Sequence, residues 1–234
     1  MKPRGWSLIA LSGIAVVLTI VLLVLLVYPK DLMLAAAVKS QDYRKTERLL
    51  KMGADPNAGV SLNPLHVAIR DGELVMVRLL LEHGADPNLS ANYGSGEQIL
   101  MHPLSLAINH NRHSEPFVRL LIGAGANPEE DGWALETAIE KGELNVVKLL
   151  IKHGGDPNQG LQSAVMSDQI EIASYLLEQG ADPNAGVQLA EITYNRDMLQ
   201  LLIEAGASID MRSREERKPE DYTTTADGKK IRLR

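Results

Sequence analysis

The letters GADPN stand at residues 53–57, 84–88 and 180–184, and close variants stand at 125–129, 154–158 and 206–210. A Leu-Leu or Leu-Ile pair comes shortly before each of the six glycines. Upstream apolar residues follow helical spacing, as Leu65, Ala68 and Ile69 do at i, i+3 and i+4. Glycine readily adopts the left-handed backbone that ends a helix, and the following proline prevents continuation. The sequence therefore predicts six stacked helix–turn–helix units.

A second pattern stands 18 residues before five of these glycines, where Leu or Val is followed three residues later by Ala. Residues 63–68 read NPLHVA, which is close to the TPLHxA signature of ankyrin repeats, and the GADPN endings resemble the boundary of that repeat. The chain thus resembles an ankyrin repeat protein over residues 32–210. The resemblance implies an all-α solenoid of about six repeats, with projecting fingers and a concave face that grip another protein.

The six repeats differ mainly in the connection that follows each glycine. These connections contain 13, 21, 11, 8 and 8 residues up to the next aligned position. We expect the first three to project as fingers and the last two to be tight loops. Because loops that contact binding partners vary more than the helices that pack on neighbours, we expect the long connections to carry the binding surface.

Composition and charge exclude several classes of function. The formal net charge is −6, and residues 30–210 alone carry −11, which disfavours nucleic acid as a partner. The chain contains no cysteine, so neither a disulfide framework nor a thiolate metal site is possible. No catalytic pattern stands out from the repeats, and the sequence predicts neither an enzyme nor a cofactor.

Residues 7–28 are predicted to form a transmembrane helix, preceded by a flank at 1–6. They contain no charge, and fifteen of the 22 are Leu, Ile or Val. A helix of that length spans about 33 Å, enough to cross a hydrocarbon core of about 30 Å. The alternative is a cleaved signal, which would leave a soluble secreted or periplasmic repeat protein.

The orientation across the membrane is set by basic residues near the segment. Lys2 and Arg4 flank its N-terminal side without any acid, which favours repeats on the extracytoplasmic (periplasmic) side. Lys39, Arg44, Lys45 and Arg48 oppose that reading by count, so a cytoplasmic location stays open.

Two connections hold apolar residues that could anchor a protein partner. Gly94-Ser95-Gly96 can turn a hairpin in the 21-residue connection, and Trp133 lies beside three acids in the 11-residue one. The alternative is that these side chains pack on neighbouring repeats. First-helix positions would form an adjoining floor. The predicted binding residues are Tyr93, Ile99, Leu100, Met101 and Trp133, with Arg70, Asn109 and Glu140 as the floor.

A metal-dependent accessory centred on the third repeat is a further alternative. His102, His110 and His113 all fall there, but zinc sites need more ligands in a defined geometry, and no metal is predicted.

The C-terminal end should close the stack. Residues 211–222 resemble a degenerate half-repeat or cap, and 223–234 read as a basic disordered tail. In the last repeat, Glu191 occupies a slot that holds Val or Ile in the other five. We expect its first helix to be displaced, short or partly open.

Overall fold

The computed structural model describes residues 30–59, 63–93, 99–208, 222–224 and 230–232. Residues 30–39 are helical and are called α1. The other helices are α2 Tyr43–Lys51, α3 Pro64–Arg70, α4 Leu74–Glu82, α5 Pro103–His110, α6 Glu115–Gly123, α7 Ala134–Glu140, α8 Leu144–Lys152, α9 Pro157–Met166, α10 Ile170–Glu178, α11 Asn184–Ile192 and α12 Arg196–Glu204. The strands are β1 Ala91–Tyr93, β2 Ile99–Met101, β3 Tyr222–Thr224 and β4 Lys230–Arg232.

The twelve helices form six pairs, as the six copies of the motif predict. The chain divides into two compact units, Met1–Asp156 and Pro157–Arg234. In the first, the short helices α3, α5 and α7 pack in a row, and their partners α4, α6 and α8 pack in a second row. In the second, α9 packs on α10 and α11, and α12 packs on α10 and α11. The aliphatic side chains between the rows are buried, so each layer gains its stability from the next.

Every second helix ends in the same way. The six motif glycines have positive φ angles, from 81° at Gly53 to 107° at Gly154. The residue after each glycine donates its N–H back to the carbonyl of a buried leucine, as Ala85 does to Leu80 at 3.0 Å. This 6→1 bond is the Schellman ending, and it explains both the glycine and the leucine of the sequence pattern.

The last residue of the motif joins one repeat to the next. Asn57 accepts the N–H of Asp86, and Asn88 accepts the N–H of Asn127, each at 2.8 Å. The same two side chains donate to the carbonyls of Gly84 and Gly125 at 3.1 and 3.0 Å. In the second unit Asn158 and Asn184 accept N–H groups in the same way. We call this set of bonds the asparagine ladder.

The 21-residue connection and the last two connections have the form that their lengths predict. The 21-residue connection contains the antiparallel hairpin β1–β2, in which Ala91 faces Met101 and Tyr93 faces Ile99. Its expected turn at 94–96 lies outside the described residues. The last two connections are tight, since α9 begins at Pro157 and α11 begins at Asn184, inside the motif itself. The described residues of the 13- and 11-residue connections, which were also expected to project as fingers, form turns and irregular segments without a strand.

The inner turn between paired helices has a left-handed residue. Gly72 and Gly142 occupy this position with φ angles of 75° and 67°. Non-glycine residues occupy it in three other repeats, and the bulkiest is Tyr194, with φ 55°. A side chain in this region costs about 1–2 kcal/mol relative to glycine, so the last repeat contains local strain.

Two expectations for the C-terminal part were wrong. Helix α11 is nine residues long, longer than α3 or α7, although Glu191 lies in it. Glu191 is half-buried there and does not shorten the helix. Residue 222 was expected to end the cap, and 223–224 and 230–232 to belong to the disordered tail, but 222–224 and 230–232 pair as β3 and β4.

Residues 7–28 lie outside the described residues. Among the helices that the structure does describe, none combines the length and the apolar character needed to span a bilayer.

Replacing Asn88 by Ala should lower the free energy of unfolding by about 1–3 kcal/mol, because two backbone groups lose their partner. Urea unfolding followed by circular dichroism measures the difference. Asn145→Ala, at an exposed position of α8, is the control and should change stability by less than about 0.5 kcal/mol. Equal losses for the two variants would contradict a stabilising role for the ladder.

Candidate partner-binding surface

The hairpin β1–β2 is tied at its base to the repeats on both sides. The His66 ring nitrogen Nε2 lies 3.0 Å from the carbonyl oxygen of Met101, the last residue of β2. Nδ1 of His102, the next residue, lies 3.1 Å from the carbonyl oxygen of Asn88. His66 itself is fully buried. The hairpin therefore projects from a base fixed by ring-to-backbone contacts, which limits how far its direction can vary.

The predicted hairpin residues are placed as follows. Tyr93 and Ile99 pair through their backbones, and their side chains lie outside the described set. Leu100 is 61% exposed, while Met101 is half-buried. Successive residues of a strand point to opposite faces, so Leu100 faces solvent where Met101 turns toward the protein.

Trp133 lies at the start of the next repeat and is 69% exposed. The alternative that it packs on a neighbouring repeat is therefore not what the structure shows. Its carbonyl accepts the Thr137 hydroxyl at 2.7 Å, which fixes the backbone at the first turn of α7. Among the described residues, Leu100 and Trp133 are the large apolar side chains of repeats 3 and 4 that stand most clear of the core.

A buried aspartate joins these two positions. Oδ2 of Asp131 accepts the N–H of Ser105 at 2.7 Å, and both residues are buried. Ser105 is in the first turn of α5, five residues after Leu100, and Asp131 comes two residues before Trp133. Burial raises the pKa of Asp131, and the Ser105 N–H opposes that shift. The aspartate thus links the base of the hairpin to the Trp133 connection.

Carboxylates surround Trp133 in sequence and on the surface. Glu129, Glu130, Glu136 and Glu140 are all exposed. Glu130 accepts a bond from Asn127 at 3.1 Å, and α7 carries Glu136 in its first turn. The surface around the tryptophan is therefore negative, and it favours apolar or basic side chains over acidic ones.

The three predicted floor residues occupy the same position on successive first helices. Arg70 is half-buried and pairs with Asp71 at 2.8 Å, whereas Asn109 and Glu140 are exposed. Next to them, Nζ of Lys141 donates to the carbonyls of Ile108 and Asn109 at 2.5 and 2.7 Å. Burial, with Lys141 and Arg70 nearby, lowers the pKa of His110. The floor is thus a polar surface of mixed charge. Beside it, Lys141 caps the C-terminal end of α5 by donating to its carbonyl groups.

The histidines of the third repeat that the structure describes do not form a metal site. Over the described ranges, no three His, Asp or Glu side chains converge as ligands. His102 instead contacts Asn88, and its role is in the hairpin base.

Sequence reasoning missed the groups that hold this surface in place. Asp131 stood out only as one of three consecutive acids, and Lys141 as an ordinary charge after α7. Asn111 was also missed; it is buried, and its amide donates to the carbonyls of Ile69 and Ala107 at 3.2 and 3.0 Å. The helix period gives no signal for such bonds between repeats.

The sequence matches the family model of ankyrin repeats in three overlapping copies, at residues 32–112, 89–160 and 104–187. It is 40% identical over 68 residues to the 2-5A-dependent ribonuclease of Mus musculus, covering 28% of this chain and 9% of that protein. It is 54% identical over 50 residues to ankyrin repeat and SOCS box protein 2 of Bos taurus, covering 21% and 8%. The chain thus spans less than a tenth of the length of these two relatives.

Solved structures share the fold. An ankyrin repeat domain from Acinetobacter baumannii has a TM-score of 0.63 at 24% identity, covering 75% of this chain and 98% of that one. The ankyrin repeat domain of Bcl-3 has a TM-score of 0.62 at 23% identity, covering 75% and 86%. At these identities the similarity concerns the fold alone.

The hairpin base should weaken under mild acid. Burial lowers the pKa of His66 from its ordinary 6.5, so the unfolded chain takes up a proton more readily than the folded one. The stability from neutral His66 is present above pH 6.5 and is lost as pH falls through the lowered pKa. Comparing the free energy of unfolding from pH 7.5 to 5 in the wild type and His66→Gln measures it. The variant should lose part of the pH dependence, and identical slopes would contradict this assignment.

Proposed function

Because the chain belongs to the ankyrin repeat family, we propose that it is a binding protein that holds a protein partner on its third and fourth repeats and performs no reaction. The observation that carries this proposal is the exposure of Leu100 and Trp133, 61% and 69%, on a base fixed by Asp131. Large exposed apolar side chains on a rigid base are typical anchors of protein interfaces.

The site favours one kind of partner surface. Leu100 and Trp133 supply apolar contacts, and the exposed carboxylates of repeat 4 supply negative charge around the tryptophan. A partner segment with apolar residues next to lysine or arginine fits both features, since cations are also attracted to the face of an indole ring. The ribonuclease activity named for one relative is not proposed here, because the match covers 9% of that protein.

We further propose that residues 7–28 anchor the chain in a membrane, with the repeats on the extracytoplasmic side. Support comes from the sequence: 22 uncharged residues bracketed by Trp6 and Tyr28, with Lys2 and Arg4 on the N-terminal flank. The alternative of signal cleavage would give a mature chain beginning near residues 30–38. Such an end would lie inside α1 and remove part of the first repeat.

Partner capture should depend on the hairpin and on Trp133. With photo-crosslinking at position 100 in native membranes, deletion of 92–99 or Trp133→Ala should reduce the crosslinked yield by at least about tenfold, as expected for hot-spot residues. Met166→Ala removes a similarly exposed apolar side chain, 68% exposed, from the second unit and serves as the matched control. If capture survives the deletion combined with Trp133→Ala, the binding surface lies elsewhere.

The orientation has a separate test. Reporter fusions after Gly84 should be active only with a reporter that functions outside the cytoplasm, because the stack follows the segment directly. Carbonate extraction of the same fusions checks that the chain is membrane-integrated. Activity of a cytoplasmic reporter at this position would overturn the orientation and leave the anchor standing.

A further inference from the structure

The first repeat has an open outer face, where a preceding repeat would lie in the middle of a stack. Met33 shows this most clearly, because its side chain is 46% exposed. The residues at the same position of the five later repeats are all buried: Pro64, Pro103, Ala134, Gly160 and Gly186. Leu32 beside it is 67% exposed. An apolar strip thus faces outward on the first repeat, which follows residues 7–28 in the sequence.

The second helix of this repeat replaces apolar residues by cations at two positions. Lys45 is exposed, whereas its equivalents are buried apolar residues: Met76, Phe117, Val146, Ile172 and Met198. Arg48 is exposed where the other repeats have half-buried Leu79, Leu120, Leu149, Tyr175 and Leu201. The open face therefore combines two apolar side chains with two cations.

The positive charge of this face is not explained by its position at the end of the stack alone. A terminal repeat requires a polar outer face for solubility, but acids would serve equally well. Residues 30–52 contain six bases and three acids, a net charge of +3, while 53–210 contain eight bases and 22 acids. The three acids are bonded within the fold: Asp31 to the Asp55 N–H, Asp42 to the Lys45 N–H, and Glu47 to Lys51. The cations thus stand out on a stack of opposite sign.

The position of this face relative to the apolar segment suggests its partner. Met33 lies five positions after Tyr28 in the sequence, which corresponds to at most about 17 Å for an extended chain. The headgroup layer is about 5–8 Å thick on each side, and charge acts over about 8 Å at physiological salt. Lysine and arginine around exposed apolar side chains are the composition that binds anionic lipid surfaces.

We propose that the open face of the first repeat, formed by Leu32, Met33, Lys45 and Arg48, docks on anionic phospholipid headgroups. The inference rests on the proposed membrane anchor and holds for either orientation. Docking would hold the first repeat against the membrane, so that repeats 3 and 4 project away from the lipid surface.

The absence of cysteine makes a direct test possible. Full-length Met33→Cys in nanodiscs is treated with a water-soluble maleimide, with Lys152→Cys on α8 as the reference site. Discs of phosphatidylcholine alone are compared with discs that also contain phosphatidylglycerol. Anionic lipid should slow labelling of position 33 about fivefold or more and leave position 152 unchanged, since each cation near such a surface is worth about that factor.

Charge reversal separates lipid docking from other causes of protection. Lys45→Glu with Arg48→Glu should abolish the effect of phosphatidylglycerol on labelling at position 33. Arg78→Glu with Arg112→Glu changes the same charge at exposed positions elsewhere and should preserve it. Circular dichroism confirms that both variants fold.

The other possible results of the labelling and binding experiments each support or overturn the docking or the anchor. Equal labelling of position 33 in both lipids, with the chain held in the discs, overturns the docking and leaves the anchor. Protection in both lipids that grows with protein concentration means that a second copy covers the face, which also overturns the docking. Binding only to anionic discs, reversed by high salt, supports docking and overturns the anchor. Binding to neither kind of disc overturns both.

Discussion

The fold depends on how the second helix of each repeat ends and on how the chain then enters the next repeat. A left-handed glycine closes the helix with a bond to a buried leucine. In four of the repeats an asparagine four residues later bonds the backbone of the following segment. The two devices are adjacent, so they fix both the direction in which the chain leaves and the distance to its neighbour. Where both devices are present within a unit, local bonds of a few atoms determine the spacing of neighbouring helix pairs, and the aliphatic side chains then fill that spacing.

Much of the fold could be predicted from the sequence because the sequence is periodic. Six motif copies predicted six helix pairs, and connection lengths predicted a hairpin after Asn88 and tight loops after Gly154 and Gly180. What could not be read were bonds between residues far apart in sequence whose types are ordinary, such as Asp131 to Ser105 and Lys141 to Ile108. The length of α11 was misjudged because an acid in a slot that elsewhere holds Val or Ile was expected to disrupt the helix, whereas Glu191 is half-buried within nine helical residues. Whether the Trp133 side chain is exposed could not be predicted for a related reason, since periodicity identifies the position of a residue in the repeat but not which residues cover it.

The surface of repeats 3 and 4 combines variable connections with a fixed base. His66 and His102 hold the hairpin through backbone carbonyls, and Asp131 holds the neighbouring connection through a backbone N–H. Contacts of this kind do not depend on which side chains the hairpin presents. The base can therefore stay constant while the exposed residues change, which lets a partner be selected without loss of the fold. Ordering the base before binding also reduces the entropy lost when a partner docks.

The left-handed tyrosine in the last inner turn bears on how the molecule opens and forms. Tyr194 adopts φ 55° where Gly72 and Gly142 adopt the same conformation without strain. In a repeat array, stability is the sum of each repeat and its interface with its neighbours, so a strained terminal repeat is the first to open. Amide hydrogens of α12 would then exchange before those of α4 or α6. Folding would begin in the interior repeats and reach α11 and α12 last, after a neighbour is already in place to hold them.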